Sequence, residues 1–194
     1  VIAIPTDVLE SKIESEDVKR IKINPPLAFP EKVKEVSNLL SNAKKPVLVV
    51  GGQVHITTRS RKLVEKVAKA HNLPVLCTYE HQDIISNDNL HYAGELGLRP
   101  PEPIRKNALE ADLVLVVGHR FNGVPNMAYK FPSSKQMFIH VIPDPNTIGK
   151  IFRTDMGIVA DSENFLDQLS KFSNNNTNNE RNEWVKLCHY RYLN

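Results

Sequence analysis

The chain is poor in cysteine: Cys77 and Cys188 are its only two, 111 positions apart in 194 residues. Neither a disulfide framework nor a thiolate metal site fits such usage, and a reducing compartment, the cytoplasm, is the setting it implies. Long apolar runs are missing as well. None approaches the roughly 18 residues that a membrane span needs, so no membrane partner is expected. Charge of one sign is also scarce. The formal net charge is only +3, with Lys and Arg scattered among Asp and Glu, and a nucleic-acid partner is not implied. An initiator Met is absent too. The opening VIAIPTDVLE reads as the inside of a strand and is neither basic nor amphipathic like a targeting segment. It is expected to be part of a longer protein.

Several chemical signatures are missing in the same way. There is no G-x-G-x-x-G, no P-loop, no G-x-S-x-G elbow and no paired CxxC, and the seven histidines show no metal-ligand spacing. No catalytic residue and no metal ligand is therefore nominated.

What the chain does have is ordinary globular composition, 41% hydrophobic and 24% charged, enough for one well-buried domain. Five strand-like runs recur: PVLVVGG from Pro46, PVLCTY from Pro74, DLVLVVG from Asp112, QMFIHVI from Gln136 and MGIVAD from Met156. The first, third and fourth are nearly continuous apolar runs, the mark of strands buried on both faces of a parallel sheet. Between them lie helical patterns. Pro30 opens a segment with Val33, Val36, Leu39 and Leu40 on one face. A second carries Leu63, Val64, Val67 and Ala68, and a third, beginning DSEN, carries Phe165, Leu166 and Leu169. The expectation is an α/β fold, a doubly wound, mostly parallel sheet with helices on both faces. The tract SNNNTNNE, residues 173–180, reads as a linker, and residues 181–194 as the start of something further.

Gly51-Gly52, at the end of the first strand, suits either a tight turn or a close ligand approach in front of a helix N-terminus. Arg120, two residues after Gly118 at the end of the third predicted strand, suits a phosphate or a loop carbonyl. Asp144-Pro145 suits a ribose contact or a turn. His140 sits in an apolar strand and reads as a core histidine, while Glu80 and His81 form at most a weak acid/base pair.

Taken in order, KKPVLVVGGQV, LPVLCTYEHQDIISNDNLHYAGELG, ALEADLVLVVGHRFN, FIHVIPDPNTIGK and IVADSENFLDQL resemble the central domain of thiamine-diphosphate enzymes, and in particular the acetolactate synthase group. The likeness runs from about Pro25 to Leu169. It implies a Rossmann-like domain of the DHS-like NAD/FAD-binding type over residues 19–172. Residues 1–18 would then close a preceding domain, 173–180 would link, and 181–194 would lead into a following one. By this resemblance the longer protein acts on a 2-oxo acid with thiamine diphosphate and Mg²⁺, both held by flanking N- and C-terminal domains, and it forms a homo-oligomer. The central domain would be structural, or would hold FAD or ADP, and would not be catalytic alone. The alternatives are the central domain of a related decarboxylase of the oxalyl-CoA or benzoylformate type, or a non-catalytic adenine-nucleotide-binding module.

Carried over by position, the nucleotide contacts implied are Gly51, Gly52, Gly94, Gly97, Gly118, Arg120, Phe121 and Asp161. Departures weaken that set. Ile142 stands where the family phrase has an acid, Thr147 replaces a glutamate, and Asn122-Gly123-Val124 replaces two acids and an Arg. Each lost bond to a charged group is worth about 1.5–3 kcal/mol.

Overall fold

A computed structural model describes residues 2–15, 19, 21–54, 57–173 and 179–194. Most of the expected 173–180 linker, residues 174–178, lies outside the described residues.

The aliphatic runs form six parallel strands: β1 (Pro46–Val50), β2 (Val75–Thr78), β3 (Tyr92–Leu96), β4 (Leu113–Val117), β5 (Met137–Ile142) and β6 (Met156–Val159). Their order across the sheet is β3-β2-β1-β4-β5-β6. All five pairings are parallel, the longest being β1 with β4 and β4 with β5. Six helices accompany them among the described residues: α1 (Thr6–Leu9), α2 (Pro30–Asn42), α3 (Thr58–His71), α4 (Glu102–Leu109), α5 (Ser162–Leu169) and α6 (Asn179–Leu193).

Alternation along each strand splits the core in two, because successive side chains point to opposite faces. Leu48, Val50, Leu115 and Val117 meet α2, α3 and α5 on one face. Val47, Val49, Val114 and Val116 meet α4 and α6 on the other. That second face also carries an aromatic group in which Phe121 lies 5.6 Å from Phe131 and 5.8 Å from Phe138, ring centre to ring centre. The doubly wound arrangement is the one the alternating pattern implies. The helix ends are set locally. Thr57 accepts the Ser60 N–H at 3.1 Å to start α3, which stops at Asn72 in the left-handed conformation. Asp161 accepts the Asn164 N–H at 2.9 Å to start α5.

Three elements depart from the sequence reading. The strand expected in the opening residues does not form. Residues 2–5 have no ladder partner among the described residues, Ile2 and Ile4 are exposed, and Thr6–Leu9 makes a single helical turn with nothing buried. β3 was not anticipated. It contains Gly94 at φ +105° and pairs with β2 across a register shift, so it lacks both a long apolar run and regular alternation. Finally, α6 starts at Asn179 and packs on β3 and α4 through polar groups as much as apolar ones. Trp184 Nε1 donates to the Pro46 carbonyl at 3.0 Å, and Asn107 Nδ2 donates to the carbonyls of Ala93 and Cys188 at 3.0 and 2.9 Å. Arg181, 3% exposed, reaches the carbonyls of Leu40, Ala43 and His71 at the ends of α2 and α3.

Candidate functional site

The first strand of the sheet, β1, lies in its middle. The chain winds outward to β2 and β3, then returns to the other side of β1 as β4, β5 and β6. The winding direction therefore reverses between β1 and β4, and the carboxyl ends of those two strands define the place where open α/β sheets take ligands. Gly51, Gly52 and Gly118 lie there, with Arg120 exposed just beyond.

The backbone at this point is already engaged. The Gly51 N–H donates to Val117 at 3.0 Å, Gln53 to Gly118 at 2.8 Å and Val54 to Gly51 at 3.0 Å. The bare faces of the glycines are also covered. A Cβ on Gly51 would stand 2.8 Å from Cγ and Cδ2 of His119. One on Gly52 would meet the His81 ring, with Cε1 at 2.8 Å. One on Gly118, at φ +72°, would lie 2.9 Å from the Val54 nitrogen and from Ser162 Oγ. Ser162 Oγ is buried without a hydrogen-bond partner among the described residues.

Burial disfavours the charged form of His119 and His140. Burial, then His81, His140 and Arg120 nearby, push the His119 pKa down to about 4. Its Nδ1 accepts the Phe121 N–H at 2.8 Å, while its carbonyl accepts from His140 Nε2 at 2.8 Å. His140 is 3% exposed and its pKa is lowered, chiefly by burial. His81 Nδ1 donates to the Tyr79 carbonyl at 2.6 Å.

The remaining nominated residues are spread out. Gly94 lets Ile104 of α4 sit on β3, its Cδ1 2.6 Å from the would-be Cβ. Gly97 lines a cleft of about 330 Å³ with Tyr79, Tyr92 and Tyr192 at the far edge of the sheet. Phe121 is 1% exposed, turned inward at φ +55° and packed among rings. The Asp161 carboxylate is spent on the α5 cap, and its N–H donates to Pro26 at 2.8 Å. Arg120 shares a second cleft of about 330 Å³ with Asn122, Asp144, Thr147 and Lys150, off the ends of β4 and β5. There Asp144 binds its own turn, accepting from Asn146 N at 3.0 Å and Thr147 Oγ1 at 3.0 Å. His81 and His119 were missed as determinants of the site. Only their positions just after β2 and β4 could have hinted at them.

The sequence model of the thiamine pyrophosphate enzyme central domain matches residues 33–169. The chain belongs to that family. It is 28% identical over 177 residues to a probable acetolactate synthase large subunit of Methanococcus aeolicus, covering 88% of this chain and 29% of the relative. It is 26% identical over 198 residues to a glyoxylate carboligase of Escherichia coli O157:H7, covering 98% and 33%. The crystal structure of benzoylformate decarboxylase from Polynucleobacter necessarius superposes with a TM-score of 0.62 at 24% identity, covering 91% of this chain and 33% of that one. The chain thus spans about a third of the length of these relatives, and its fold is that of the central domain. No helix among the described residues is long and apolar enough to cross a membrane.

The nucleotide that this domain type implies, FAD or ADP, does not fit the glycine site as built. The N–H groups of Gly51, Gln53 and Val54 are bonded internally, the glycine faces are covered, and Asp161 and Phe121 are committed elsewhere. For thiamine diphosphate and Mg²⁺, no group of three or more His, Cys, Asp or Glu able to hold a metal occurs among the described residues.

Proposed function

We propose that this chain is the scaffold domain of a thiamine-diphosphate-dependent enzyme acting on a 2-oxo acid, of the acetolactate synthase type. The observation that carries the reading is the family match across residues 33–169, on a sheet of the same fold as the benzoylformate decarboxylase domain. The cofactor and its Mg²⁺ belong to domains on either side, and the assembled protein is a cytoplasmic homo-oligomer. Exposed aliphatic and aromatic residues along 2–29, among them Ile2 at 86%, Ile13 at 79%, Ile21 at 81%, Ile23 at 85% and Phe29 at 74%, support neighbours of this kind. Apolar surface on that scale is expected to be covered in the working protein. The domain contributes position, holding its neighbours on a rigid parallel sheet, and no proton transfer or covalent step.

The test is turnover of pyruvate with thiamine diphosphate and Mg²⁺. The 194-residue chain alone is expected to be silent, and the protein translated from the full natural reading frame is expected to be active. Turnover by the chain alone, or a full frame without thiamine-diphosphate-dependent activity on any 2-oxo acid, overturns the reading.

A further inference from the structure

We infer that His81 and His119 are the residues that decide ligand specificity at the switch point: together they plug the crevice between β1 and β4 and exclude a nucleotide from it. In a parallel sheet a glycine at a strand's carboxyl end is useful to a ligand only while its bare face is open. Here both faces of the pair are taken by imidazoles arriving from different loops. His119, directly after Gly118, lies on Gly51, and His81, three residues after β2, lies on Gly52.

Both rings are anchored, so neither is a loose side chain that a ligand would push aside. His81 is held by its Nδ1 bond to Tyr79, with Thr78 Oγ1 at 3.3 Å. His119 is held through Nδ1 by the Phe121 N–H. Phe121 is itself fixed among Phe131, Phe138 and Phe152. Swinging His119 outward would break the bond that turns Phe121 into the core. The third glycine, Gly118, is closed by Val54, whose own N–H is bonded to Gly51. Beneath the plug the chain keeps a polar residue that a ligand could have used, since Ser162 Oγ lies against Gly118 with no hydrogen-bond partner among the described residues, and Ser162 is 1% exposed. The plug is a property of the domain and stands whatever the longer protein catalyses.

Calorimetric titration with ADP and with FAD tests this on the wild type, on H81A and H119G, and on the double variant, with circular dichroism reporting folding; glycine is used at 119 because the His119 Cβ also lies on the Gly51 face. The wild type is expected to give no saturable heat up to about 1 mM ligand, and clearing the rings is expected to bring ADP binding at least about tenfold tighter than that limit. The inference is overturned if the wild type binds one equivalent of either nucleotide. It is equally overturned if a folded variant lacking the rings stays as silent as the wild type. The single variants carry the comparison if the double variant does not fold.

Discussion

The His119 ring rests on Gly51, with its Cγ and Cδ2 2.8 Å from the point where a side chain on that glycine would begin. The same residue accepts the Phe121 N–H at 2.8 Å and takes a bond from His140 Nε2 at 2.8 Å on its carbonyl. One residue, through its ring and its carbonyl, therefore links the end of β1, the inward turn at Phe121 and the interior of β5. The glycine is required for packing within the chain, which is a different requirement from the one its motif suggests.

A methyl group at position 51 must displace His119 and the loop behind it. Gly51→Ala is expected to destabilise the fold by about 1–3 kcal/mol, the usual cost of overpacking. Urea denaturation measures it. Adding His119→Gly, which removes both the Cβ and the ring that face position 51, should recover part of the loss, so the two changes are expected to be non-additive in a double-mutant cycle. Additive effects would mean that the ring and the glycine do not meet.

Phe121 and Arg120 are neighbours in sequence with opposite fates, one 1% exposed and one at the surface. Phe121→Ala removes a ring from the Phe131, Phe138 and Phe152 group and is expected to cost about 3–5 kcal/mol. Arg120→Ala should stay within about 0.5 kcal/mol, as surface changes do. Thermal and urea midpoints of the two variants, measured together, separate a core role from a ligand role at the HRF tripeptide.

These adjacent residues also show how far the sequence could be read. The strands β1, β4 and β5 were legible because sheets buried on both faces demand unbroken aliphatic runs, and LVLVV at Leu113 to Val117 satisfies that demand by itself. β3 was not legible. YAGEL owes its strand conformation to β2 beside it and to α4 and α6 over it, none of which is encoded locally. In the site, the convergence of Gly51, Gly52 and Gly118 followed from strand order once a doubly wound sheet was assumed. The return of His81 and His119 onto those glycines depends on two loops closing over the sheet edge, and no periodicity records that. Phe121 looked like a ligand contact because its direction depends on a positive φ, which a non-glycine residue seldom adopts and a sequence does not show.

α6 is joined to the domain through buried polar contacts whose partners all lie far off in sequence. Arg181 serves carbonyls at the ends of two helices, Leu40 of α2 and His71 of α3 among them, at 2.8 and 3.2 Å. Replacing it with Met keeps the stem and strips those carbonyls of their donor. Arg181→Met is expected to cost at least about 2 kcal/mol, since bonds to charged groups are worth more than neutral ones and the acceptors stay buried. Trp184→Phe, which loses the bond to Pro46 and little else, should cost about 1–2 kcal/mol. Hydrogen exchange is the local check. In both variants protection should fall first in α6 and at the carboxyl ends of α2 and α3. Loss spread evenly over the sheet would contradict this attachment.

Acidification should weaken the fold before the hydrogen-bonded carboxylates of Glu102, Asp144 and Asp167 titrate. Burial is the leading cause that lowers the pKa of His71, His91, His119 and His140 from the ordinary value of 6.5, in the case of His119 to about 4. A base kept neutral by the fold binds its proton more readily when unfolded. Its contribution is therefore complete above 6.5 and is lost as pH falls through that value toward the folded one. Each such histidine adds up to about 1.4 kcal/mol per pH unit in this window. The carboxylates drawn down by hydrogen bonds, Asp144 by Asn146 N, Glu102 and Asp167 by Lys106 and Lys171, lose their contribution only at lower pH. Unfolding free energy from urea titrations between about pH 7.5 and about pH 5 should fall steadily on the acid side of 6.5. His119→Gln, which cannot take up the proton, should flatten that slope by close to one proton's worth. An unchanged slope in this variant would show that His119 takes up its proton as readily in the folded chain as in the unfolded one and that the contacts around Gly51 do not exclude water from its ring.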